Sequence, residues 1–467
     1  MKNFLSILGI ATLMVIVSCK DKDDPIVTPP PTDDVVKLTG NLTTRTLTAD
    51  KKYLLEGQVF VRDGQTLTIE PGTIIFGDKR TRATLIIDKG GRIVANGTVD
   101  KPIVFTSSQA EGIRDRGDWG GLVILGRANC NQPDPAIEGI TPAVTFGTLN
   151  STQFDNESSG SLKYVRVEFG GIELTPNNET NSITLGGVGR GTEMEYCMVS
   201  FGGDDGFEWF GGTVNAKYLV SFCTWDDDFD VDFGWSGNVQ HGLAVRYPGF
   251  ADQSQSNGFE CDNGPNDNDV QPYTTGVFSN ITVLGPIKTG TSTGNANYAH
   301  AIDLRRRTAV SIFNSVFAGF PRGLRFNQAS VTAQYQGGTG VLANNILVGT
   351  ANATTFNAGS GVTVADVEAY WKSANTVIDG PASDAIHQGV GINPEWFFGT
   401  RLADQYPSNP NFVVTSGDAA TGAAFTNPKF SEPNRAGFFN AVTHRGAFAG
   451  NDWTNGWADF NPVNTKY

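Results

Sequence analysis

The sequence predicts an all-β fold, a right-handed parallel β-helix solenoid, from a repeated pattern, its spacing and the composition. The pattern is a very short strand, and the equivalent apolar residue in its five copies is Phe207, Phe229, Phe259, Ile302 or Leu324. These equivalent positions are 22, 30, 43 and 22 residues apart. A period of about 22 residues is typical of one turn of a parallel β-helix, so the longer intervals predict turns with inserted loops. The 56 Gly and 30 Phe residues favour many short strands joined by tight turns.

Alternation within each copy separates a core position from a surface position. Successive side chains of a strand point to opposite faces, so the five apolar residues are expected to stack inside the coil. The residues that follow them should then form a ladder on the outer surface: Glu208, Asp230, Glu260, Asp303 and Arg325.

The N-terminus has the pattern of a secretory signal. Lys2 precedes an apolar stretch from Phe4 to Val17, which is too short to span a membrane, and Val17-Ser18-Cys19 ends it. That ending resembles the lipobox of bacterial lipoproteins, which implies that Cys19 carries lipid and becomes the first mature residue. The acidic run at 20–24 resembles an export tag for the cell surface, and a solvated linker is the alternative interpretation. We therefore predict a lipid anchor in the outer membrane, with the protein facing the cell exterior.

The chain divides into four predicted regions. They are a signal peptide (1–18), the lipidated cysteine with a flexible Asp- and Pro-rich tether (19–34), the β-helix (35–350) and C-terminal turns with a cap (351–467). Within the last region, 364–375 has apolar residues at helical spacing and is expected to pack across the end of the coil. Trp453, Trp457 and Phe460 are expected to form the core of that cap.

The opening turns carry a family resemblance. In the stretch that begins at Leu54, the phrases TLTIEPGTII, GGRIVANGT and KPIVFTS resemble those of pectate-lyase-like β-helix proteins. From Leu54 onward the pattern is also similar to surface lipoproteins of gram-negative bacteria that share this architecture and have no defined activity. The resemblance implies a fold and does not imply a reaction.

Charge and cysteine content exclude several classes. The net charge of −14 argues against a nucleic-acid partner, since phosphate binding needs clustered Lys and Arg. The four cysteines that remain after lipidation are scattered and form no CxxC pair, so neither a disulfide framework nor a zinc site is expected.

Asn280, Asn314 and Asn345 are expected to form one column of amides that hydrogen-bond along the coil.

The acidic ladder is the candidate binding site. The predicted binding residues are Asp204, Asp205, Glu208, Asp230, Asp232, Glu260, Asp262 and Asp303, and the bends add Asp226 and Asp227. Neighbouring turns of such a coil lie about 4.8 Å apart, so stacked carboxylates repel one another unless a positive charge lies between them. Hard oxygen ligands suit Ca²⁺, and the predicted ligand set is Asp228, Asp230, Asp232, Glu260 and Asp262. Alternatively, Arg305, Arg306, Arg307 and Arg325 neutralise the acids as a surface network.

Two enzyme classes compete with a binding role. β-helix polysaccharide lyases use carboxylate-bound Ca²⁺ to acidify a uronic-acid proton and a basic residue to remove it, for which Arg305 and Arg325 are the candidates. Gly203-Asp204-Asp205 and His241-Gly242 look like two of the four polygalacturonase motifs, but the other two motifs are missing. We therefore predict a non-enzymatic, lipid-anchored component of nutrient uptake that binds a glycan or a partner such as an outer-membrane transporter, with a Ca²⁺-dependent lyase as the alternative.

Overall fold

The computed structural model describes residues 35–175, 178–287, 294–348, 354–378, 390–392 and 411–467. The predicted signal peptide, Cys19 and the tether lie outside the described residues. The first described strand begins at Val35. Within the described residues, no helix is long and apolar enough to cross a membrane.

Short strands dominate the described chain. The first fifteen are β1 (Val35–Leu42), β2 (Arg45–Leu47), β3 (Lys52–Val61), β4 (Thr66–Ile69), β5 (Ile74–Gly77), β6 (Thr84–Ile87), β7 (Arg92–Asn96), β8 (Ile103–Ser107), β9 (Leu122–Leu125), β10 (Asn129–Cys130), β11 (Thr148–Leu149), β12 (Gly160–Glu168), β13 (Ile172–Thr175), β14 (Asn178–Thr180) and β15 (Ile183–Gly186). The next fifteen are β16 (Glu193–Ser200), β17 (Phe207–Phe210), β18 (Ala216–Phe222), β19 (Phe229–Asp232), β20 (Asn238–Val245), β21 (Phe259–Cys261), β22 (Val277–Leu284), β23 (His300–Leu304), β24 (Ser311–Phe313), β25 (Val316–Ala318), β26 (Arg322–Gln328), β27 (Leu342–Ala343), β28 (Ile346–Val348), β29 (Phe356–Ser360) and β30 (Thr376–Ile378). The two α-helices are α1 (Ala329–Gln336) and α2 (Val364–Lys372).

Parallel pairing between successive turns confirms the predicted β-helix. Twenty-six of the strands belong to one continuous sheet. One side of the coil, called the acidic sheet here, consists of β6, β9, β15, β17, β19, β21, β23, β26 and β29, each paired in parallel with the next. Two small sheets stand outside the coil: the parallel pair β10–β11 and the antiparallel hairpin β13–β14.

The aromatic core of the acidic sheet follows the predicted register. Phe207 pairs with Phe229, and Phe229 pairs with Phe259, which in turn pairs with Ile302. The ring centroids are 6.0 Å apart in the first pair and 5.0 Å apart in the second. All these side chains are buried, so the apolar half of each short strand faces the interior as the alternation predicts.

The rest of the coil wall is a bent sheet. In β12, β16, β18, β20 and β22 one residue near the middle adopts a left-handed conformation, with φ between 49° and 63°, and the strand turns a corner there. The corner residues are Tyr164, Tyr196, Tyr218, His241 and Asn280. The rings of the first four corner residues stack in sequence, with centroid distances of 4.5, 4.4 and 5.0 Å between successive rings.

The asparagine column differs from the prediction. Asn280, Asn314 and Asn344 are the left-handed corner residues, whereas Asn345 lies one position later. Asn280 Nδ2 donates to the carbonyl of His444, and Asn314 exchanges hydrogen bonds with the backbone of Ala424. The prediction for Asn345 was therefore wrong by one residue, because the strand pairing fixes Val316 opposite Ile346. The corner amides at 280 and 314 hold the C-terminal segment beside the coil.

The C-terminal region contains the predicted helix and a long extended segment. Helix α2 begins after Thr363, whose side chain forms a capping box with Asp366, and buries Val367 and Trp371. The residues from 411 onward lie along the side of the coil rather than across its end. Contacts with Asn314 near one end of the coil, and between Lys52 and the Tyr467 carbonyl near the other, mark this path. Trp457 packs edge-on against Tyr164 and Tyr196.

Candidate functional site

The predicted outer column exists on the acidic sheet. Glu208 pairs with Asp230, Asp230 with Glu260, and Glu260 with Asp303, after which Arg325 continues the column. Parallel pairing without a register shift stacks these side chains directly over one another on the face opposite the Phe core. The sequence prediction of this ladder is therefore confirmed as geometry.

A second column, which we call the amide ladder, lies two residues before each core residue. It consists of Asn181, Asp205, Asp227 and Asn257. In each step a side-chain oxygen accepts a hydrogen bond from a backbone N–H of the next turn. Asn181 Oδ1 accepts from Asp205 at 3.2 Å, Asp205 Oδ1 accepts from Asp227 at 2.8 Å, and Asn257 Oδ1 accepts from His300 at 2.9 Å. The N–H of Asn257 donates to Asp227 in the same way. All four side chains are buried, so the ladder satisfies backbone donors that water cannot reach.

The amide ladder explains how acids are tolerated at positions 205 and 227. Only Oδ1 of each carboxylate is required for the backbone bond, and a neutral amide fills that role at 181 and 257. The charge of Asp205 and Asp227 is therefore not needed by the fold. Oδ2 of each carboxylate has no part in these ladder bonds.

The bend before each strand adds a third set of acids. Asp204 and Asp226 are linked by a backbone hydrogen bond of 3.3 Å from the N–H of Asp226 to the carbonyl of Asp204. Ser254 Oγ donates to Oδ2 of Asp226 at 2.7 Å. Oδ1 of Asp226 and Oδ1 of Asp230 are buried atoms that receive no hydrogen bond. Two carboxylate oxygens thus remain without a donor in the same neighbourhood.

These columns form the floor of an open groove of about 850 Å³. Its walls come from the insertion around Glu138 and Phe146, from Glu173 and Glu179 of the β13–β14 hairpin, and from the loop at 252–254. Of its 21 lining residues, 11 are Asp or Glu and none is Lys, Arg or His. The lining of the groove is therefore strongly acidic.

The carboxylate oxygens approach closely enough to share a cation. Three triads each place one oxygen per residue within 4.8 Å of the others. The triads are Asp204–Asp205–Asp226, Asp205–Glu208–Asp230 and Asp227–Asp230–Glu260. Ca²⁺ binds oxygen at about 2.3–2.6 Å, so two ligands on opposite sides of one ion are about 5 Å apart and these triads fit it.

Burial and mutual repulsion both act on these acids. Burial, followed by the charge of Asp204, raises the pKa of Asp205 well above its ordinary value. Burial, followed by the charge of Glu208, does the same to the pKa of Asp230. For Asp226, burial raises the pKa to about 6 although Ser254 opposes the shift. An unneutralised cluster of this kind holds protons more tightly than isolated carboxyls do, and a bound cation would remove that preference.

Beyond Glu260 the same column is neutralised by arginine. Nη2 of Arg305 lies 2.6 Å from both Glu260 and Asp262, and Arg306 lies 2.6 Å from Asp262. Arg325 Nε donates to Asp303 at 2.7 Å in a two-pronged pair. Burial alone would lower the pKa of Arg305, but the charges of Glu260 and Asp262 outweigh burial and raise it. Arginine therefore neutralises the turns from Glu260 onward. No described Lys or Arg forms an ion pair with the acids of the preceding turns, which are Asp204, Asp205, Glu208, Asp226, Asp227 and Asp230.

Several predicted site residues lie outside the groove. Asp232, Asp262 and Asp303 belong to the outer face but do not line it. Strand alternation predicts Asp228 on the same outer face, and this prediction is wrong. Its carboxylate lies inside the coil, accepts hydrogen bonds from Ser221 at 2.7 Å and Thr224 at 3.1 Å, and pairs with fully buried Arg246 at 3.2 Å. The strand begins only at Phe229, so period-two alternation does not extend back to Asp228.

His241 lies at a different part of the coil from the acids. It is a corner residue of the bent sheet, stacked on Tyr218 at 5.0 Å and on His444 at 6.0 Å. Burial lowers its pKa to about 3, so it is neutral at physiological pH. The polygalacturonase-like combination of Asp204, Asp205 and His241 is therefore not assembled into one site.

Sequence reasoning left other groove residues out of the predicted set. Asp226 and Asp227 were recognised only as bend residues, and Asn181 was not singled out. The signal that identifies them is their common position, two or three residues before the core residue of each turn. Glu138, Glu179 and Asp252 reach the groove from loops, and no spacing in the sequence indicates that.

The family is established by sequence similarity. The pattern of the pectate-lyase-like β-helix domain matches residues 40–391. The chain belongs to this family. No curated protein sequence shows a significant match to the chain. Among solved structures, the crystal structure of the Dettilon tailspike protein is similar over 74% of this chain, with 11% identity and a TM-score of 0.25. The chain spans 61% of the length of that tailspike. In this pectate-lyase-like β-helix, the groove lies on the outer face of three successive turns.

Proposed function

We propose that this pectate-lyase-like β-helix binds a saccharide through Ca²⁺ held in the acidic groove, and that it does so without cleaving the ligand. The observation that carries the proposal is the stack of carboxylates at 205, 208, 227 and 230, which has no basic partner among the described residues. Two ionised carboxylates about 4.8 Å apart repel by roughly 3 kcal/mol at an effective dielectric constant of about 20. A divalent cation is the simplest species that turns this repulsion into attraction.

The oxygen-only donor set favours Ca²⁺ over a transition metal. Each triad offers carboxylates alone, and the described residues of the groove include neither His nor Cys. Calcium also accepts irregular coordination and keeps free positions for ligand hydroxyls. A saccharide could complete the coordination shell of such an ion.

The location proposed for this activity is the outer face of a gram-negative outer membrane. Its support is the lipobox-like ending at Cys19 and the acidic residues that follow it. A rigid coil on a lipidated tether would present the groove to extracellular glycans. In that position the protein would bind a nutrient glycan and hold it near an uptake system.

A lyase is the second candidate, and the position of the arginines counts against it. Arg305 and Arg325 were the candidate bases, yet each is engaged with carboxylates and neither lines the groove. The charges of Glu260 and Asp262 raise the pKa of Arg305, which makes proton abstraction by its guanidinium harder. A binding role needs no such base.

The test is a glycan array probed with the purified protein in Ca²⁺ and again in chelator, beside the variant Glu208→Gln/Asp230→Asn. Binding that needs Ca²⁺ and is lost in the variant supports the proposal. Release of unsaturated products, seen as new ultraviolet absorbance, would favour the lyase. Cleavage without unsaturation would indicate a hydrolase. Absence of any glycan signal would contradict the saccharide role and leave a protein partner.

A further inference from the structure

The charge of the groove restricts the ligand that a bound cation could recruit. Two of the carboxylate triads share no residue, so at most two divalent ions fit without sharing ligands between them. Two such ions and the guanidinium of Arg305 together offset five of the 11 carboxylates that line the groove. Six carboxyl groups remain without a counter-charge, and each of them that is ionised repels an anion. A polyanion would therefore meet repulsion along most of the groove even when calcium is bound.

The groove also has an apolar part beside the acids. Phe210 follows Glu208 by two residues on the same face of β17, and Phe233 directly follows β19. Their ring centroids are 5.1 Å apart, and Phe146 packs on them at 6.1 and 6.5 Å. Phe210 and Phe233 are half-buried, so part of each ring faces the groove.

An aromatic surface beside a cation site matches the two faces of a sugar. The C–H face of a pyranose packs on an aromatic ring, whereas adjacent hydroxyls can replace water on calcium. Because Phe210 and Phe233 both pack against the buried ring of Phe146, little side-chain entropy is lost on binding. The apolar surface and the oxygen triad Asp205–Glu208–Asp230 belong to the same two turns of the coil.

We propose that the ligand of the groove is a neutral glycan, with a vicinal diol on the bound Ca²⁺ and the apolar face of an adjoining sugar on Phe210 and Phe233. The inference rests on the proposed function and deepens it by excluding polyuronates as the preferred ligand. An amine-bearing glycan is the competing class. It would replace the cation instead of needing it, so chelator would strengthen its binding.

The experiment measures binding of soluble mannan, dextran, polygalacturonate and a chitosan oligomer to the purified protein, with Ca²⁺ or with chelator. Calcium binding is measured separately by calorimetry. The variants are Phe210→Leu and Phe233→Leu, which keep apolar volume but remove the ring. Phe438→Leu, which changes a half-buried ring of the C-terminal segment in the same way, is the matched control. All proteins are compared at one pH and one ionic strength.

We expect at least one neutral polymer to bind in Ca²⁺, and each groove variant to weaken it by about tenfold, the equivalent of one lost stacking contact. Calcium binding should persist in these variants because phenylalanine supplies no ligand oxygen. Preference for polygalacturonate, stronger chitosan binding in chelator, or unaltered binding in both leucine variants would overturn the inference while leaving a calcium site in place. Failure of the wild-type protein to bind calcium would instead overturn the proposed function.

Discussion

Oδ1 of Asp205 accepts a hydrogen bond of 2.8 Å from the backbone N–H of Asp227 on the next turn. The same bond is made by Asn181 one turn before Asp205 and by Asn257 two turns after it. Oδ1 of Asp205 and of Asp227 therefore stabilises the fold by accepting a backbone hydrogen bond, whereas the charge of each carboxylate acts in the groove. This division of roles makes the contribution of charge separable from that of structure.

Replacing Asp205 separates the two roles. Asp205→Asn should fold normally and, in chelator, should melt at a higher temperature than wild type because it removes repulsion with Asp204 and Asp230. Asp205→Ala should lose about 1–3 kcal/mol, since the buried N–H of Asp227 is left without an acceptor. Thermal unfolding followed by circular dichroism gives both values. Equal destabilisation by both substitutions would contradict the proposed division.

The pH dependence of Asp226 has a definite sign. Its pKa is raised in the folded protein from 3.8 to about 6, so the native state binds the proton more tightly than the unfolded chain does. In chelator, this carboxyl should reduce stability progressively as the pH rises from about 4 through 6, by up to about 3 kcal/mol. Asp226→Asn removes the effect, so its melting temperature should exceed that of wild type by a margin that grows over this range. Added Ca²⁺ should shrink the margin, and parallel pH curves for the two proteins would disprove the assignment.

The Asp228–Arg246 pair should act as a structural unit. Both side chains are fully buried, and removal of one leaves the other charge without compensation. Asp228→Asn should therefore cost about 3–5 kcal/mol, whereas Asp228→Leu/Arg246→Met should cost less than the sum of its single changes. Urea unfolding of the single and double variants measures the coupling. Additive losses would show that the two residues do not act as a pair.

Trp457 should hold the C-terminal segment on the coil. It is buried against Tyr164 and Tyr196, and its indole N–H donates to the Trp453 carbonyl at 2.8 Å. Trp457→Ala should weaken local stability by about 3–5 kcal/mol and make the chain after 411 sensitive to protease while the coil stays resistant. Phe438→Ala serves as the control. Cleavage within the coil before the tail would contradict this account.

The column of core and acidic residues was predictable because two periodicities agree. Alternation fixes which side chain faces inward, and the 22-residue repeat from Phe207 to Phe229 fixes which residues stack. Helix α2 was also predictable, since its apolar spacing and the Thr363 cap are local signals.

Other features depend on contacts that the sequence does not display. Asp228 precedes its strand, and only the position of Arg246 on a later turn shows that it faces inward. Asn344 and Asn345 are adjacent in the sequence, and only the pairing of Val316 with Ile346 shows that Asn344 takes the corner position. The path of the C-terminal segment depends on corner residues far earlier in the chain: Asn314 precedes Ala424 by 110 positions and Asn280 precedes His444 by 164. Local patterns identify elements and register, whereas long-range contacts decide which acids share a groove.

The most direct test of the central claim is anomalous diffraction from a crystal of the protein equilibrated with CaCl₂. The account predicts a calcium peak in the groove, at about 2.3–2.6 Å from carboxylate oxygens of Asp205, Glu208 and Asp230 or of a triad that overlaps them. The peak should be absent from a crystal of Asp205→Asn/Asp230→Asn. An empty wild-type groove at millimolar calcium, or an ion bound only at the turns served by Arg305 and Arg325, would contradict it.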